Sequence, residues 1–167
     1  SIAALEIVMV EVSTDAGITG WGDAFAYVCP RTTCTAIAEM IAPQAQGQQI
    51  PDAADIPAFM EQIQRNLHLF GRYGITMFAI SALDIALWDL KGRHFGVPIH
   101  RLMGGPLRTE VRAYATGTYR VEHGDPFEYI VDEVVRYVEQ GFHAVKLKIG
   151  FDVDADAALI RAVRKRV

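Results

Sequence analysis

Hydrophobic alternation opens the chain and predicts a β-hairpin. Residues Leu5–Val12 are rich in β-branched side chains, and a second strand pattern over Ile18–Ala24 follows the turn Thr14–Gly17. β-Branched residues favour strands, and Gly17 supplies the left-handed conformation that a three-residue hairpin loop requires. The pattern therefore predicts two antiparallel strands.

The next three apolar patterns repeat with helical spacing. They cover Pro30–Ile41, a stretch that begins near Asp55, and Thr76–His94. Asp55 is predicted as the N-cap of the second helix, with Pro57 in its first turn, because a short acid accepts hydrogen bonds from the free N–H groups at a helix start. The third helix is apolar almost all round, which predicts burial on several sides.

After Gly104–Pro106 the chain alternates strand and helix patterns joined by short loops, which is typical of βα units in a parallel sheet. The predicted elements are strands over Val111–Thr116 and Ala144–Ile149, and helices over Pro126–Gln140 and from about Asp154. The residues predicted to face inward are Ile130, Val134, Val135 and Val138 in the first helix and Ala158, Leu159, Ala162 and Val163 in the second. We place a domain boundary near residue 108, which gives domains over 1–108 and 109–167.

Composition excludes several classes of function. Lysine and arginine total 16 against 20 acids, a formal charge of −4, so the chain lacks the basic surface of a nucleic-acid-binding protein. The apolar share of 51% indicates a globular chain, and no run reaches the roughly 18 apolar residues of a membrane span. Cys29 and Cys34 form neither a disulfide framework nor a CxxC motif, which favours the cytoplasm.

Both ends of the sequence are predicted to be internal to a longer protein. The chain starts at Ser1 only a few residues before a strand pattern, and it stops at Val167 within an amphipathic helix pattern. We therefore expect a fragment.

Two lysines in the second predicted strand carry the main candidate chemistry. Side chains alternate along a strand, so Lys146 and Lys148 share one face and Val145, Leu147 and Ile149 share the other. Parallel sheets are covered on both faces, and two ammonium groups there are costly. Like charge and desolvation lower the pKa of lysines in general and favour general-base catalysis. The alternative is an edge strand whose lysines face water and discourage further pairing; spacing alone leaves both open.

Three segments resemble the mandelate racemase/muconate lactonizing enzyme family of the enolase superfamily. They are Ala79–Gly92 continuing through Val97–Pro98 to Leu102–Gly105, the hairpin stretch Gly17–Asp23, and the KxK motif in Ala144–Gly150. They occur in the family's order, and the resemblance covers essentially all 167 residues.

The resemblance implies a fold and a reaction. The fold is an α+β capping domain over 1–108, without its first strand, followed over 109–167 by the first two βα units of a (β/α)8-type barrel, truncated. The reaction removes the proton α to a carboxylate and gives an enediolate that Mg²⁺ stabilises. By the motif match Lys148 is the catalytic base, and Lys146 is its partner, which contacts the carboxylate. The family's metal carboxylates come from later barrel strands, so we expect the Mg²⁺ ligands beyond Val167 and none in this chain.

Substrate contacts and the reaction outcome are left more open by the resemblance. Tyr27 falls where the family places a cap loop over the substrate, and Thr116 ends the first barrel strand, so both are candidate substrate-binding residues. The expected substrate is a small carboxylate such as an acid sugar or 2-hydroxy acid, processed by a racemase, epimerase, acid-sugar dehydratase or cycloisomerase. We expect a homo-oligomer. The alternative is a catalytically silent fragment or pseudoenzyme that lacks the metal site and is stable only by association.

Acids next to the KxK motif do not form a calcium loop. Asp152, Asp154 and Asp156 occupy the right positions, but the loop's required glycine and final glutamate are replaced by Ala157 and Val163. We interpret these acids as capping and first-turn residues of the last helix.

Overall fold

A computed structural model describes residues 6–50, 52–119 and 126–167. The chain divides into two compact units, Ser1–Leu107 and Arg108–Val167. The elements of the first unit are β1 (Glu6–Ser13), β2 (Thr19–Tyr27), α1 (Pro30–Ala36), a π-helical turn (Ile37–Ile41), α2 (Ala42–Ala45), α3 (Asp55–Asn66), a 3₁₀ turn (His68–Phe70), α4 (Gly74–Phe95) and α5 (Ile99–Leu102). Those of the second unit are β3 (Ala115–Thr116), α6 (Pro126–Glu139), β4 (Val145–Lys146) and α7 (Val153–Arg166).

The predicted hairpin is confirmed. Strands β1 and β2 pair antiparallel, with Ser13 opposite Thr19 at the turn. Gly17 has a φ of +77°, and its N–H donates to Thr14 O at 3.0 Å. The second strand continues to Tyr27, three residues beyond its predicted end. Leu5, the predicted first residue of β1, lies outside the described residues.

Small residues on one face of β2 allow α4 to lie directly against the hairpin. Gly20, Gly22, Ala24 and Ala26 alternate along the strand and are all buried. A Cβ atom added at Gly22 would lie 2.1 Å from the carbonyl oxygen of Ala82 in α4, closer than any real contact. The strand therefore packs backbone to backbone with the helix.

The core of the first unit forms where α4 meets α3 and the α1–α2 segment. Its most buried members are Ile41, Ile56, Ile63, Ala79, Ile80 and Leu83. As predicted, α4 is buried on several sides, since it also packs against the hairpin. The predicted N-cap at Asp55 is wrong by one residue: Ala54 occupies that position, and the Asp55 carboxylate accepts a hydrogen bond from the Asp52 N–H at 3.1 Å.

The second unit contains two parallel strands covered by two helices. Ala115 pairs with Val145 and Thr116 with Lys146. The core consists of Ile130, Val131 and Val134 from α6 and Leu159 and Val163 from α7, with Val145 and Leu147 packed against them.

The two strands of this unit are shorter than predicted, and two helix positions were assigned to the wrong face. Each strand has two paired residues instead of six, and Ala115–Thr116 and Val145–Lys146 are the registered pairs. Val138 is 44% exposed and Ala158 is exposed, whereas both were predicted to face inward. Val131 of α6 is buried instead, so the buried face of this helix is rotated relative to the predicted one.

No helix within the described ranges has the length and apolarity needed to cross a membrane.

Candidate active site

Lys146 ends β4 and Lys148 lies two residues beyond it, on a stretch whose apolar side chains pack against the core of the second unit. Val145 and Leu147 pack against the helical core of the second unit, and the alternation of a strand places both lysines on the other side. Lys146 is exposed and Lys148 is half-buried. Ile149, predicted to share the apolar face, is 55% exposed. The two amines therefore come from one short stretch of chain, and the apolar side chains Val145 and Leu147 attach this stretch to the core of the second unit.

Thr118 ties the loop after β3 to the backbone that carries both lysines. Its side chain is fully buried, and its Oγ1 accepts a hydrogen bond from the Lys148 N–H at 3.1 Å and lies 3.4 Å from the Lys146 carbonyl oxygen, to which it donates. The ladder between β3 and β4 ends at Thr116 and Lys146. Immediately after it, the Thr118 hydroxyl makes the hydrogen bonds to the second strand that a paired backbone would otherwise make.

Helix α6 holds Thr118 through Glu133. Glu133 Oε2 accepts a hydrogen bond from the Thr118 N–H at 2.9 Å, and Oε1 accepts one from the Tyr137 hydroxyl at 2.8 Å. That hydrogen bond to Glu133, with a contribution from burial, raises the pKa of Tyr137 above its usual range. Gly117 leaves room for this pair, because a Cβ there would lie 2.4 Å from the Tyr137 hydroxyl and 2.5 Å from Glu133 Oε1, and these side-chain ends would have to shift.

The aromatic ring of Tyr119 lies under the amine of Lys148. The Lys148 Nζ is 5.1 Å from the ring centroid, within the range of a cation–π interaction. Tyr119 is 62% exposed, so the pair is open to solvent on one side. Lys148 is consequently contacted at both ends, by Thr118 at its backbone and by Tyr119 at its side-chain terminus.

The two candidate substrate-binding residues fall in different units. Thr116 is exposed on β3 and lies opposite Lys146 in the parallel register, so the structure brings these two predicted residues together. Tyr27 lies at the end of β2 with a φ of +44°, and its ring stacks on Phe25 with centroids 5.9 Å apart. Tyr27 is 43% exposed. Among the described residues, Tyr27 and Thr118 are the two non-glycine residues with positive φ.

The sequence analysis missed Thr118, Tyr119 and Glu133. The signal for Thr118 was its separation of two from Thr116, with a glycine between them, since alternate strand residues share a face. For Tyr119 and Glu133 the sequence holds no such signal. Their contacts to Lys148 and Thr118 span 29 and 15 residues and depend on how the loop after β3 turns.

The described residues do not supply a magnesium site. In these ranges no three His, Cys, Asp or Glu side chains come together. The acids after β4 serve the start of α7 instead: Asp152 accepts a hydrogen bond from the Ala155 N–H at 2.8 Å, and Asp156 accepts one from the Gly150 N–H at 2.6 Å. Mg²⁺ demands nearly octahedral oxygen ligation, which this part of the chain does not offer.

A hairpin packed on a long helix, followed by strand–helix units with two lysines at a strand end, is the arrangement expected for the enolase superfamily. The family model described as "Mandelate racemase / muconate lactonizing enzyme, N-terminal domain" matches residues 1–104. The chain belongs to the mandelate racemase/muconate lactonizing enzyme family, and its first unit is the capping domain.

Relatives with known names match nearly the whole chain. A D-galactarolactone cycloisomerase of Agrobacterium fabrum is 36% identical over 96% of this chain and 41% of its own length. An arabinonate dehydratase of Saccharolobus solfataricus is 35% identical over 98% and 43%. A crystal structure of a mandelate racemase/muconate lactonizing protein from Paracoccus denitrificans, complexed with magnesium, matches with a TM-score of 0.81 and 32% identity over 95% of this chain and 43% of that one. The chain therefore spans about two fifths of the length of these relatives.

Proposed function

We propose that this chain supplies the base of an enzyme that removes the proton from the carbon next to a carboxylate. Lys148 takes the proton, and Lys146 binds the carboxylate. The observation that carries the proposal is the fixed placement of the two amines on one strand end, with Lys148 held by Thr118 and contacted by Tyr119. A general base must lie within hydrogen-bond reach of the proton it abstracts, which requires this kind of rigid support.

The two lysines are proposed to have different roles, carboxylate binding for Lys146 and proton transfer for Lys148. Successive residues on one face of a strand are about 6–7 Å apart, which is close enough for one substrate to touch both amines. The ammonium of Lys146 offers three N–H donors to the carboxylate oxygens and withdraws electron density from the neighbouring carbon. The amine nitrogen of Lys148 then takes the proton from that carbon. Thr116, opposite Lys146 in the sheet, is proposed to donate a hydrogen bond to the same substrate.

An acid sugar is the proposed substrate class. The names of both relatives refer to sugar acids or their lactones, and a sugar acid carries an oxygen on the carbon β to its carboxylate, which can leave once the α proton has been removed. We propose Tyr27 as a substrate-binding residue because its ring is exposed and its backbone has a positive φ, a costly conformation that is often found at functional positions. We propose that any Mg²⁺ ligands lie outside residues 1–167.

Proton exchange in D₂O tests the base directly. The assay uses the longest reading frame that encodes this sequence, with Mg²⁺ present and a panel of acid sugars, and follows deuterium entry at the α carbon by NMR. We expect Lys148→Ala to lower the exchange rate by at least about 100-fold, the range for loss of a positioned acid or base. Lys165→Ala, an exposed lysine on α7, is the matched control and should exchange at the wild-type rate. Full exchange in Lys148→Ala would show that the base lies elsewhere.

The partner role of Lys146 needs a different readout. Lys146→Ala removes a carboxylate contact, so we expect KM to rise more than tenfold along with a loss in kcat, whereas Lys146→Arg keeps a charged donor and recovers part of the affinity. An unchanged KM in Lys146→Ala would contradict carboxylate binding by this residue.

A further inference from the structure

We infer that Thr118 is the positioning residue of the catalytic strand: its hydroxyl sets the backbone of Lys148, and Glu133 holds Thr118 in place. The inference rests on the proposed function of Lys148. Thr118 touches no reacting group, so its effect passes through the lysine.

The Thr118 hydroxyl lies between the backbone groups of the two lysines. Thr118 Oγ1 accepts from the Lys148 N–H and donates to the Lys146 carbonyl, so it bridges the two peptide groups on either side of Leu147. Regular pairing between β3 and β4 stops at Thr116 and Lys146. Beyond that pair, the Thr118 hydroxyl binds the backbone N–H of Lys148 and so positions this residue relative to the loop after β3.

The backbone of Thr118 also adopts an unfavourable conformation. Thr118 has a φ of +57°, a region that β-branched residues avoid, and glycine, asparagine or aspartate would sit there with less strain. A fully buried threonine in this conformation persists because surrounding contacts hold it there. The Glu133 carboxylate supplies such a contact by accepting the Thr118 N–H at 2.9 Å. Strain retained at a position whose hydroxyl bridges the lysine strand points to a role in placing that strand.

Substitutions at Thr118 can distinguish a positioning role from a purely stabilising one. In Thr118→Ala two buried hydrogen bonds are lost while the β-branch strain is relieved, so the two effects on stability oppose each other, whereas the placement of Lys148 only suffers. In Thr118→Ser the hydroxyl is kept and activity should be kept with it. A residue that served only to stabilise the fold would show rate loss only together with loss of stability.

Thr14 provides a matched control within the same chain. Its hydroxyl also bridges a backbone pair, accepting from the Ile18 N–H at 3.1 Å and lying 3.2 Å from the Ile18 carbonyl, to which it donates. It does so in the hairpin turn of the first unit, which contains neither lysine. Thr14→Ala therefore removes the same two hydrogen bonds without touching the lysine strand.

The test compares these variants in the longest reading frame that encodes the sequence, using α-proton exchange and steady-state kinetics. We expect Thr118→Ala to lower kcat about 10- to 100-fold with KM changed less than threefold, the scale on which small misplacements of a catalytic group cost rate. Thr118→Ser should stay within threefold of wild type, and Thr14→Ala should match wild type. Amide hydrogen exchange of the segment containing Lys148 should be at least tenfold faster in Thr118→Ala and unchanged in Thr118→Ser.

The outcomes distinguish this inference from the proposed function. If Lys148→Ala retains exchange, the proposed function fails, whatever Thr118 does. If Lys148→Ala loses exchange but Thr118→Ala keeps its kcat, the positioning role alone is wrong. It is also wrong if Thr118→Ser is as slow as Thr118→Ala. If Thr118→Ala does not fold, Thr118→Gly, which suits a positive φ, takes its place with the same expectations.

Discussion

Asp89 links the helix α4 to the hairpin through a single half-buried carboxylate. Its Oδ2 accepts hydrogen bonds from the backbone N–H of Trp21 at 2.9 Å and from Arg93 Nε at 2.7 Å. Burial raises the pKa of Asp89, but the Trp21 and Arg93 hydrogen bonds outweigh it and hold the pKa below the usual range. The ionised carboxylate is therefore favoured by folding.

We expect Asp89→Ala to destabilise the fold by about 2 kcal/mol at pH 7, the usual cost of losing hydrogen bonds to a charged group. Because the folded pKa is depressed, this contribution is complete above the unfolded value of about 3.9 and disappears as the pH falls through the folded pKa. Urea unfolding between pH 7 and pH 3 measures it. Glu61→Ala, which breaks the exposed pair with Arg65, should have a smaller effect. A gap between Asp89→Ala and wild type that stays constant down to pH 3 would contradict the assignment.

Asp84 lies five residues before Asp89 on α4, and we expect its contribution to stability to depend on pH in the opposite direction. Burial raises its pKa, and a hydrogen bond with Trp88 offsets part of that effect. An acid with a raised folded pKa costs stability above that pKa, and the cost vanishes below the unfolded value of about 3.9. Asp84→Asn keeps an acceptor for Trp88 and should stabilise the fold at pH 7 by up to about 1 kcal/mol. The same unfolding series checks this: equal stability at pH 7, or a gain that survives at pH 3, would be against it.

At the scale of elements, the close approach of β2 to α4 determines the capping domain. Gly22→Ala would place a Cβ 2.1 Å from the Ala82 carbonyl oxygen and 2.7 Å from the Ala86 nitrogen, and neither backbone atom can move without shifting the helix. We expect a loss of at least about 3 kcal/mol or failure to fold. Gly17→Ala has open space but a φ of +77°, so it should cost only about 1 kcal/mol. Thermal unfolding of both variants compares the two costs; a Gly22→Ala protein as stable as Gly17→Ala would mean that the helix lies farther from the strand.

Sequence patterns predicted the helices and strands well where the residues that stabilise each element lie within that element. The hairpin follows from alternation and Gly17, and α4 from an apolar run that ends at Gly96 in the left-handed region. The strands of the second unit were predicted too long, because the apolar residues of Ala144–Ile149 show that a strand can form but not how many neighbours it will have. Small residues at alternate positions from Gly20 onward did carry the information for close packing, although the partner helix could not be named from them.

At the scale of the whole molecule, only the part of the candidate site that lies within the KxK motif was predictable from the sequence. Lys146 and Lys148 stand two apart in sequence, and their common face follows from strand geometry. The groups that place them come from other elements. Thr118 depends on a left-handed turn after β3, and Glu133 on the rotation of α6 about its axis, neither of which a periodic pattern encodes.

The last prediction concerns metal binding by the 167-residue chain on its own. Within the described ranges no three metal-ligating side chains converge, and the acids nearest the lysines in sequence are bound to the start of α7. Lys146 and Lys148 add two positive charges at the proposed substrate site, which repel a divalent cation unless several carboxylates outweigh them. We therefore expect no micromolar Mg²⁺ site in this chain.

Isothermal titration of the metal-free chain with Mg²⁺ at pH 7 makes that measurement. The same titration of Lys146→Ala should also show no site, because removing a repulsive charge does not create the oxygen ligands that Mg²⁺ requires. Stoichiometric binding in the micromolar range by the unaltered chain would place a complete ligand set within residues 1–167. It would overturn the proposal that the lysines and the metal ligands come from separate parts of the protein.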